Sequence, residues 1–374
     1  MAGREQLLEV VEGPDPEKRA AARRLIALID RSEFRRRLDA FAADTDGRQK
    51  LTLPGWEEFQ KLAGSDAEAR ILFVEMQRQE GAILSAVFGA SKRSPEEQYE
   101  ARLLQIAQWQ SVAGDRGATP SVGSCATMLF LGSVPQINLS DTAASLIENL
   151  IQRPPIRPLV QADNAESQDG TKKQDAVQKE DAARKLVIGW LMNCPNKSED
   201  ILRQRLGIIQ TLGIKDALAL PLSVVSSDPQ NLHVLPITKA LAAQTIGMLG
   251  TREHVDRLAP LLEDSSICIP LQLQVPNQPA LNVQVRDVAL CQMLLLTQQQ
   301  PSDYGYVKAQ LQSPRNFPLQ TLYRENDQQR TEAIAKWRTW WAVHKNDVKA
   351  NAKADKPAGK PQAAPREPVP IAPQ

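Results

Sequence analysis

The chain has 374 residues, more than one average domain, and its 42% hydrophobic content suffices for a sizeable core. A formal net charge of +1 supplies no global field to draw nucleic acid or an anionic membrane surface. Aromatic residues at 5%, with abundant Ala, Leu, Gln and Arg, favour helices over sheets, so the expected fold class is all-α, starting from two helical modules.

Two helices open the chain. Gln6 to Val11 is apolar-rich and stops at Gly13-Pro14. Asp15 then has the chemistry of an N-cap, Pro16 fits the first helical position, and Glu17 suits the positive end of the helix dipole. Ala21, Leu25, Leu28 and Ile29 recur as one apolar stripe, which Phe34, Leu38 and Phe41 extend past Asp30. The result is a helical hairpin, and one hairpin cannot bury both of its stripes alone. The run Arg35-Arg36-Arg37 invites a phosphate-binding reading, but Asp30, Glu33 and Asp39 interleave with it and it reads as a solvated face.

From Leu53 to Glu80 two more helices are expected, the first opened by Pro54-Gly55 with Trp56, Phe59 and Leu62 on one side. Ser65 is the expected cap of the second, with Glu68 completing a capping box and Ile71, Leu72 and Met76 facing inward. The pairs Glu57 with Glu58 and Glu68 with Glu75 lack the partner that would split their pKa values, so they read as surface charge rather than acid–base machinery. Further helices are expected over Ile83 to Ala90, over Pro95 to Val112 behind Ser94, over Cys125 to Gly132 and over Thr142 to Ile151. In the second of these, Leu103, Leu104, Ile106, Ala107 and Trp109 should be buried.

Residues 1–152 thus form a first helical module, and 153–181 read as a flexible linker. Pro154, Pro155 and Pro158 stiffen its start, and ADNAESQDGTKKQD offers little to bury. Helical repeats are expected over 182–345. Ala183, Val187 and Leu191 make a stripe with Trp190 beside it, and a helix over Ile201 to Leu212 stops at Gly213. Leu212-Gly213 maps on Leu249-Gly250 and Pro221-Leu222 on Pro260-Leu261, a period of about 37 to 39 residues. Val285 to Thr297 repeats the first helix about 47 residues on, the extra length being Ile267 to Val283, read as an inserted loop or small β-hairpin around Pro276-Asn277. Ile334, Trp337, Trp340 and Trp341 cap the end of the stack, a ligand platform being the alternative. Residues 346–374, rich in Lys, Ala and Pro, read as a disordered tail.

The two-helix unit, its period, the D-P-E-x-R opening and the Leu-Gly endings resemble HEAT or HEAT-like repeats. More narrowly, LPGWEEFQKLAG, ILFVEMQRQE, QVRDVALCQMLLLT and AIAKWRTWW are similar to phrases of uncharacterised HEAT-like proteins of planctomycete bacteria, in pieces over most of Gln6 to His344. The resemblance implies a HEAT-like α-solenoid of stacked hairpins. It transfers no catalytic residue. Members of that group are often exported behind a signal sequence. Here Met1 to Val11 carries Arg4, Glu5 and Glu9 where a signal peptide would be apolar. As written the chain reads as soluble and cytoplasmic; a signal sequence preceding Met1 would make it exported or periplasmic. No stretch approaches the roughly 20 apolar residues of a membrane span.

Cys125, Cys194, Cys268 and Cys291 are widely spaced with no CxxC pair, and they read as buried free thiols. In an exported protein Cys268 and Cys291 would be the pair to bridge. His233, His254 and His344 lie far apart, and pairing Cys194 or Cys291 with His254 as nucleophile and base has no sequence signal behind it. The sequons at Asn138 and Asn196 are short enough to arise by chance. No catalytic, cofactor-binding or metal-ligating residue is assigned, and no cofactor. The expected function is a non-catalytic scaffold or adaptor for a protein or peptide, its surface at helix-terminal loops and at Ile267 to Val283. The rivals are an enzyme or lyase-associated subunit with a small-molecule site between modules, and an envelope protein. A deep pocket of converging Asp, Glu, His or Cys would favour the enzyme, a shallow groove the adaptor.

Overall fold

The computed structural model describes residues 2–44, 53–89, 95–112, 120–161, 174–195, 198–226, 234–271, 281–312 and 315–354. Among them are fifteen α-helices and one pair of short strands, so the chain is predominantly helical. It divides into two compact units, Met1–Gly250 and Thr251–Gln374.

The first unit opens with α1 (Ala2–Glu12) packed on α2 (Pro16–Ala43). Asp15 starts α2 as its chemistry demands: its Oδ1 accepts from the backbone N–H groups of Glu17 at 2.9 Å and Lys18 at 3.2 Å. The buried stripe of α2 holds at Ile29, Leu38 and Phe41 as expected and shifts by one residue before them, to Ala22 and Ile26. Ala22, Leu38 and Phe41 are buried and Ile26 and Ile29 half-buried, whereas Leu25 and Leu28 remain 49% and 58% exposed. Apolar residues fill most of positions 20–29, so two neighbouring stripes satisfy helical spacing, and one of them is covered.

Helix α3 (Trp56–Ala63) begins after Gly55, which has φ 83°; a Cβ there would sit 2.6 Å from the Phe88 ring. Helix α4 (Ala67–Phe88) is capped by Asp66, not Ser65, because the Asp66 carboxylate accepts from Ala69 N–H at 2.9 Å. The separate helix expected from Ile83 is the second half of α4, which is broken locally at Glu80 (φ −130°, ψ 24°). Leu72 and Met76 are buried and Ile71 is exposed. The rings of Phe41, Trp56, Phe59, Phe73 and Phe130 form one cluster, with Phe41 edge-on to Trp56 at 4.8 Å and Phe59 5.0 Å from Phe73.

Helices α5 (Pro95–Val112), α6 (Val122–Leu131) and α7 (Asp141–Gln152) follow. Leu103 and Ile106 are buried as expected, Leu104 is exposed, and the side chain of Trp109 and the cap assigned to Ser94 lie outside the described residues. Every residue of α6 from Gly123 to Leu131 is buried, and a Cβ on Gly123 would lie 2.8 Å from the Glu75 carbonyl oxygen. Helix α6 therefore runs hard against α4.

The linker expected over 153–181 is helical at both ends. Ile156 and Val160, four residues apart, are buried in α8 (Ile156–Gln161), and α9 begins at Gln174 (Gln174–Asn193). Residues 162–173, with Lys172-Lys173, lie outside the described residues. Ala183, Val187, Trp190 and Leu191 are buried in α9, which packs against α3, α4, α6 and α8. The unit boundary consequently falls at Gly250, because the helix expected to start a second module is central to the first. Helix α10 (Glu199–Leu212) ends at Gly213 with φ 66°, the left-handed stop its Leu-Gly ending predicts. Helix α12 (Pro236–Leu249) packs on both α10 and α11 (Ala219–Ser226).

In the second unit Arg252 to Asp264 is a chain of 3-10 turns around the four-residue α13 (Val255–Leu258); Pro260 removes one backbone donor there. The expected small hairpin appears as β1 (Ile267–Pro270) antiparallel to β2 (Asn282–Gln284), pairing Ile269 with Val283 and Pro270 with Asn282. Its turn around Pro276-Asn277 lies outside the described residues. Helix α14 (Val285–Leu296) is buried on most sides, and α15 runs Asp327–Ala354. Helix α15 thus passes the expected end at Lys345, because no breaker occurs before Pro357. Residues 355–374 lie outside the described ones.

Candidate functional site

Two buried carboxylates, one in each unit, each hold an arginine; two further buried arginines stand elsewhere, Arg70 over the Phe41 and Trp56 rings and Arg205 donating to the Leu191 carbonyl. Glu80 sits at the break in α4, and the Arg102 guanidinium of α5 forks onto it, with Nε 3.0 Å from both carboxylate oxygens and a terminal nitrogen at 2.5 Å. Ser124 of α6 donates its hydroxyl to Glu80 Oε1 at 2.6 Å. One carboxylate thus ties three helices together. Beside it, burial first and the Glu80 charge second push the Cys125 thiol up to about 12. A thiol so placed is a small hydrophobe rather than a nucleophile.

Asp287 in the first turn of α14 is enclosed more tightly. It accepts from Gln284 N–H at 2.9 Å, closing a capping box, and from the Tyr306 hydroxyl at 2.9 Å. Arg330 of α15 brings Nε to 3.1 and 3.0 Å from the two oxygens, and spends its other nitrogens on Asp327 at 2.9 Å and the Asn282 carbonyl at 2.9 Å. Burial raises the Asp287 carboxyl above the ordinary carboxylate range, against the pull of Arg330. The arrangement clamps α14, β2 and α15. Nearby in sequence, Gln292 is fully buried and neither polar atom of its amide has a hydrogen-bond partner.

Among the described residues of the first unit are two grooves. One, of about 640 Å³ between α2 and α4, is lined by Arg31, Phe34, Arg35, Leu38, Asp39, Arg78 and Gln79. The other, of about 590 Å³ between α7 and α10, is lined by Asp141, Thr142, Ser145, Asp200, Ile201, Arg203 and Gln204. Neither lining contains a histidine or a cysteine.

The residues weighed from the sequence fall apart in space or into structural work. Glu57 is exposed and Glu58 half-buried in the first turn of α3. The Glu68 carboxyl is raised by burial and by the Asp66 charge. His254 Nδ1 accepts from the Thr251 N–H at 3.0 Å as part of a cap, and the Cys291 thiol is fully buried and pushed well up. All four cysteines are buried and none is in a disulfide. Trp337 is buried and stacks on Trp341 at 5.6 Å, while Trp340 lies flat on His344 at 4.4 Å. No helix among the described residues is long and apolar enough to cross a membrane.

Sequence reasoning missed both buried carboxylates. Asp287 did carry a signal, since Gln284 and Asp287 have capping-box spacing; Glu80 carried only the following Gly81. Its partners lie 22 and 44 residues away. No protein-family model, no curated protein and no solved structure matches the chain.

Proposed function

We propose that the chain is a non-catalytic scaffold of HEAT-like helical pairs that binds a protein or peptide. The observation that carries this reading is the α1–α2 hairpin. Leu8, Val10, Leu25 and Leu28 stand exposed on it, four of the twelve large exposed hydrophobic side chains among the described residues. Large apolar side chains left in water on one supersecondary element mark a contact surface more readily than a reaction centre. Support for the repeated pairs comes from α10, α11 and α12, where each Leu-Gly ending closes a helix and α12 lies on both predecessors. The helix-terminal loops and the Ile267 to Val283 segment are the other surface such an architecture offers.

The test is affinity capture with the intact chain from the cells that make it, combined with cross-linking mass spectrometry. A protein partner enriched over a mock capture and cross-linked to residues 2–43 is expected. The reading is overturned if no protein is enriched. Cross-links confined to the Ile267 to Val283 region would move the surface there.

A further inference from the structure

The α2 face that runs into the α2–α4 groove has an unusual charge balance. Helix α2 carries eight basic and four acidic side chains. Interleaved acids would neutralise its arginines if they were available, but two are already engaged by other helices: Asp30 by Arg4 of α1 at 2.8 Å, and Asp39 by Arg78 of α4 at 2.5 Å. Arg31 and Arg35 are left without a carboxylate partner among the described residues. They stand one turn apart on the same face, where like charges weaken a helix. Leu28, three residues before Arg31 and 58% exposed, continues that face. Phe34 and Leu38 line the groove beside them.

We infer that the α2–α4 groove receives an acidic amphipathic protein segment, its carboxylates pairing with Arg31 and Arg35 and an apolar side chain covering Leu28 and Phe34. This rests on the scaffold reading and narrows it to one groove and one partner chemistry. Charge complementarity selects the partner: two unpaired guanidinium groups want carboxylates in forked pairs, and the adjoining leucine and phenylalanine want apolar cover. A nucleic-acid strand fits less well, because its phosphates would answer Arg31 and Arg35 but its backbone offers no apolar cover to Leu28 and Phe34.

Fluorescence anisotropy with the intact chain tests the assignment. The probe is a labelled helical peptide of glutamate and leucine; the comparators replace its glutamates by lysine, replace its leucines by serine, or substitute a single-stranded oligonucleotide. The glutamate–leucine peptide is expected to bind with an affinity that falls as salt rises. Arg31→Glu with Arg35→Glu should weaken it about tenfold or more, and Leu28→Ser severalfold. Both variants change exposed side chains, and circular dichroism checks their helix content. Unchanged affinity in the charge-reversed variant, or equal binding of the lysine peptide, overturns the inference. So does an oligonucleotide that binds more tightly and is lost on the same reversal. Should the charge-reversed chain still capture the partner found by the wild type, the groove assignment fails and the scaffold reading stands; capture of nothing by either chain sinks both.

Discussion

Glu80 and Asp287 are both buried helix carboxylates gripped by one arginine, yet their arginines differ in access to water. The Arg102 side chain keeps 25% of its exposure and the Arg330 side chain 4%. In the first unit the ion pair is a bridge whose cationic end stays solvated; in the second both ends have left solvent, and hydrogen bonds from Tyr306 and Gln284 N–H must make up the loss. The lesson is that a buried pair is worth what breaking it exposes. The penalty for an uncompensated charge grows with enclosure.

The largest effect should therefore come from Arg330→Ala, which leaves Asp287 enclosed without its countercharge and is expected to cost about 3–5 kcal/mol. Chemical denaturation would give the size, and hydrogen exchange should place the loss in α14 and α15. Arg102→Ala is expected to cost less, about 1–3 kcal/mol, because water can reach the vacated side of Glu80. If Arg102→Ala proved as costly as Arg330→Ala, exposure would not be what separates the two sites. Asp66→Ala calibrates the scale with a partly exposed cap, at about 1 kcal/mol by the same denaturation measurement.

The smallest signal is a pH slope. Burial raises the Asp287 carboxyl, so the folded chain holds that proton more tightly than the unfolded one, and the contribution to stability is greatest below the ordinary carboxylate value of 3.8. It declines as pH rises through the window between that value and the raised one. Asp66 has the opposite sign. Despite burial, which raises it, the Ala69 N–H and Lys185 draw its carboxyl below the ordinary value, so its contribution is lost as pH falls through that lower range. Denaturation midpoints across acidic pH should show the Asp287 slope flattened in Asp287→Asn and the Asp66 slope removed in Asp66→Asn.

Features written into neighbouring residues were legible. Asp15-Pro16 starts α2, Gly213 ends α10, and the alternation around Ile269 and Val283 makes the strand pair. Choices among equivalent neighbours were not. Nothing local separates Ala22 and Ile26 from Ala21, Leu25 and Leu28, and Ser65 and Asp66 are both good caps one residue apart. Segments whose burial depends on distant partners were also hidden. The proline-rich start of the expected linker conceals α8 because Ile156 and Val160 find cover only once α7 and α9 are in place. A glutamate such as Glu80 reads as surface charge until α5 and α6 bring Arg102 and Ser124 to it.

Gln292 has a consequence for the history of the sequence. An amide sealed inside α14 with both polar atoms idle forgoes about 1–3 kcal/mol for each unsatisfied group. The wild-type residue at that position is therefore not the one that would make this backbone most heat-resistant. Gln292→Met, close in shape and free of the amide, should raise the melting temperature, and a library selected for survival at elevated temperature should drift toward methionine or leucine there.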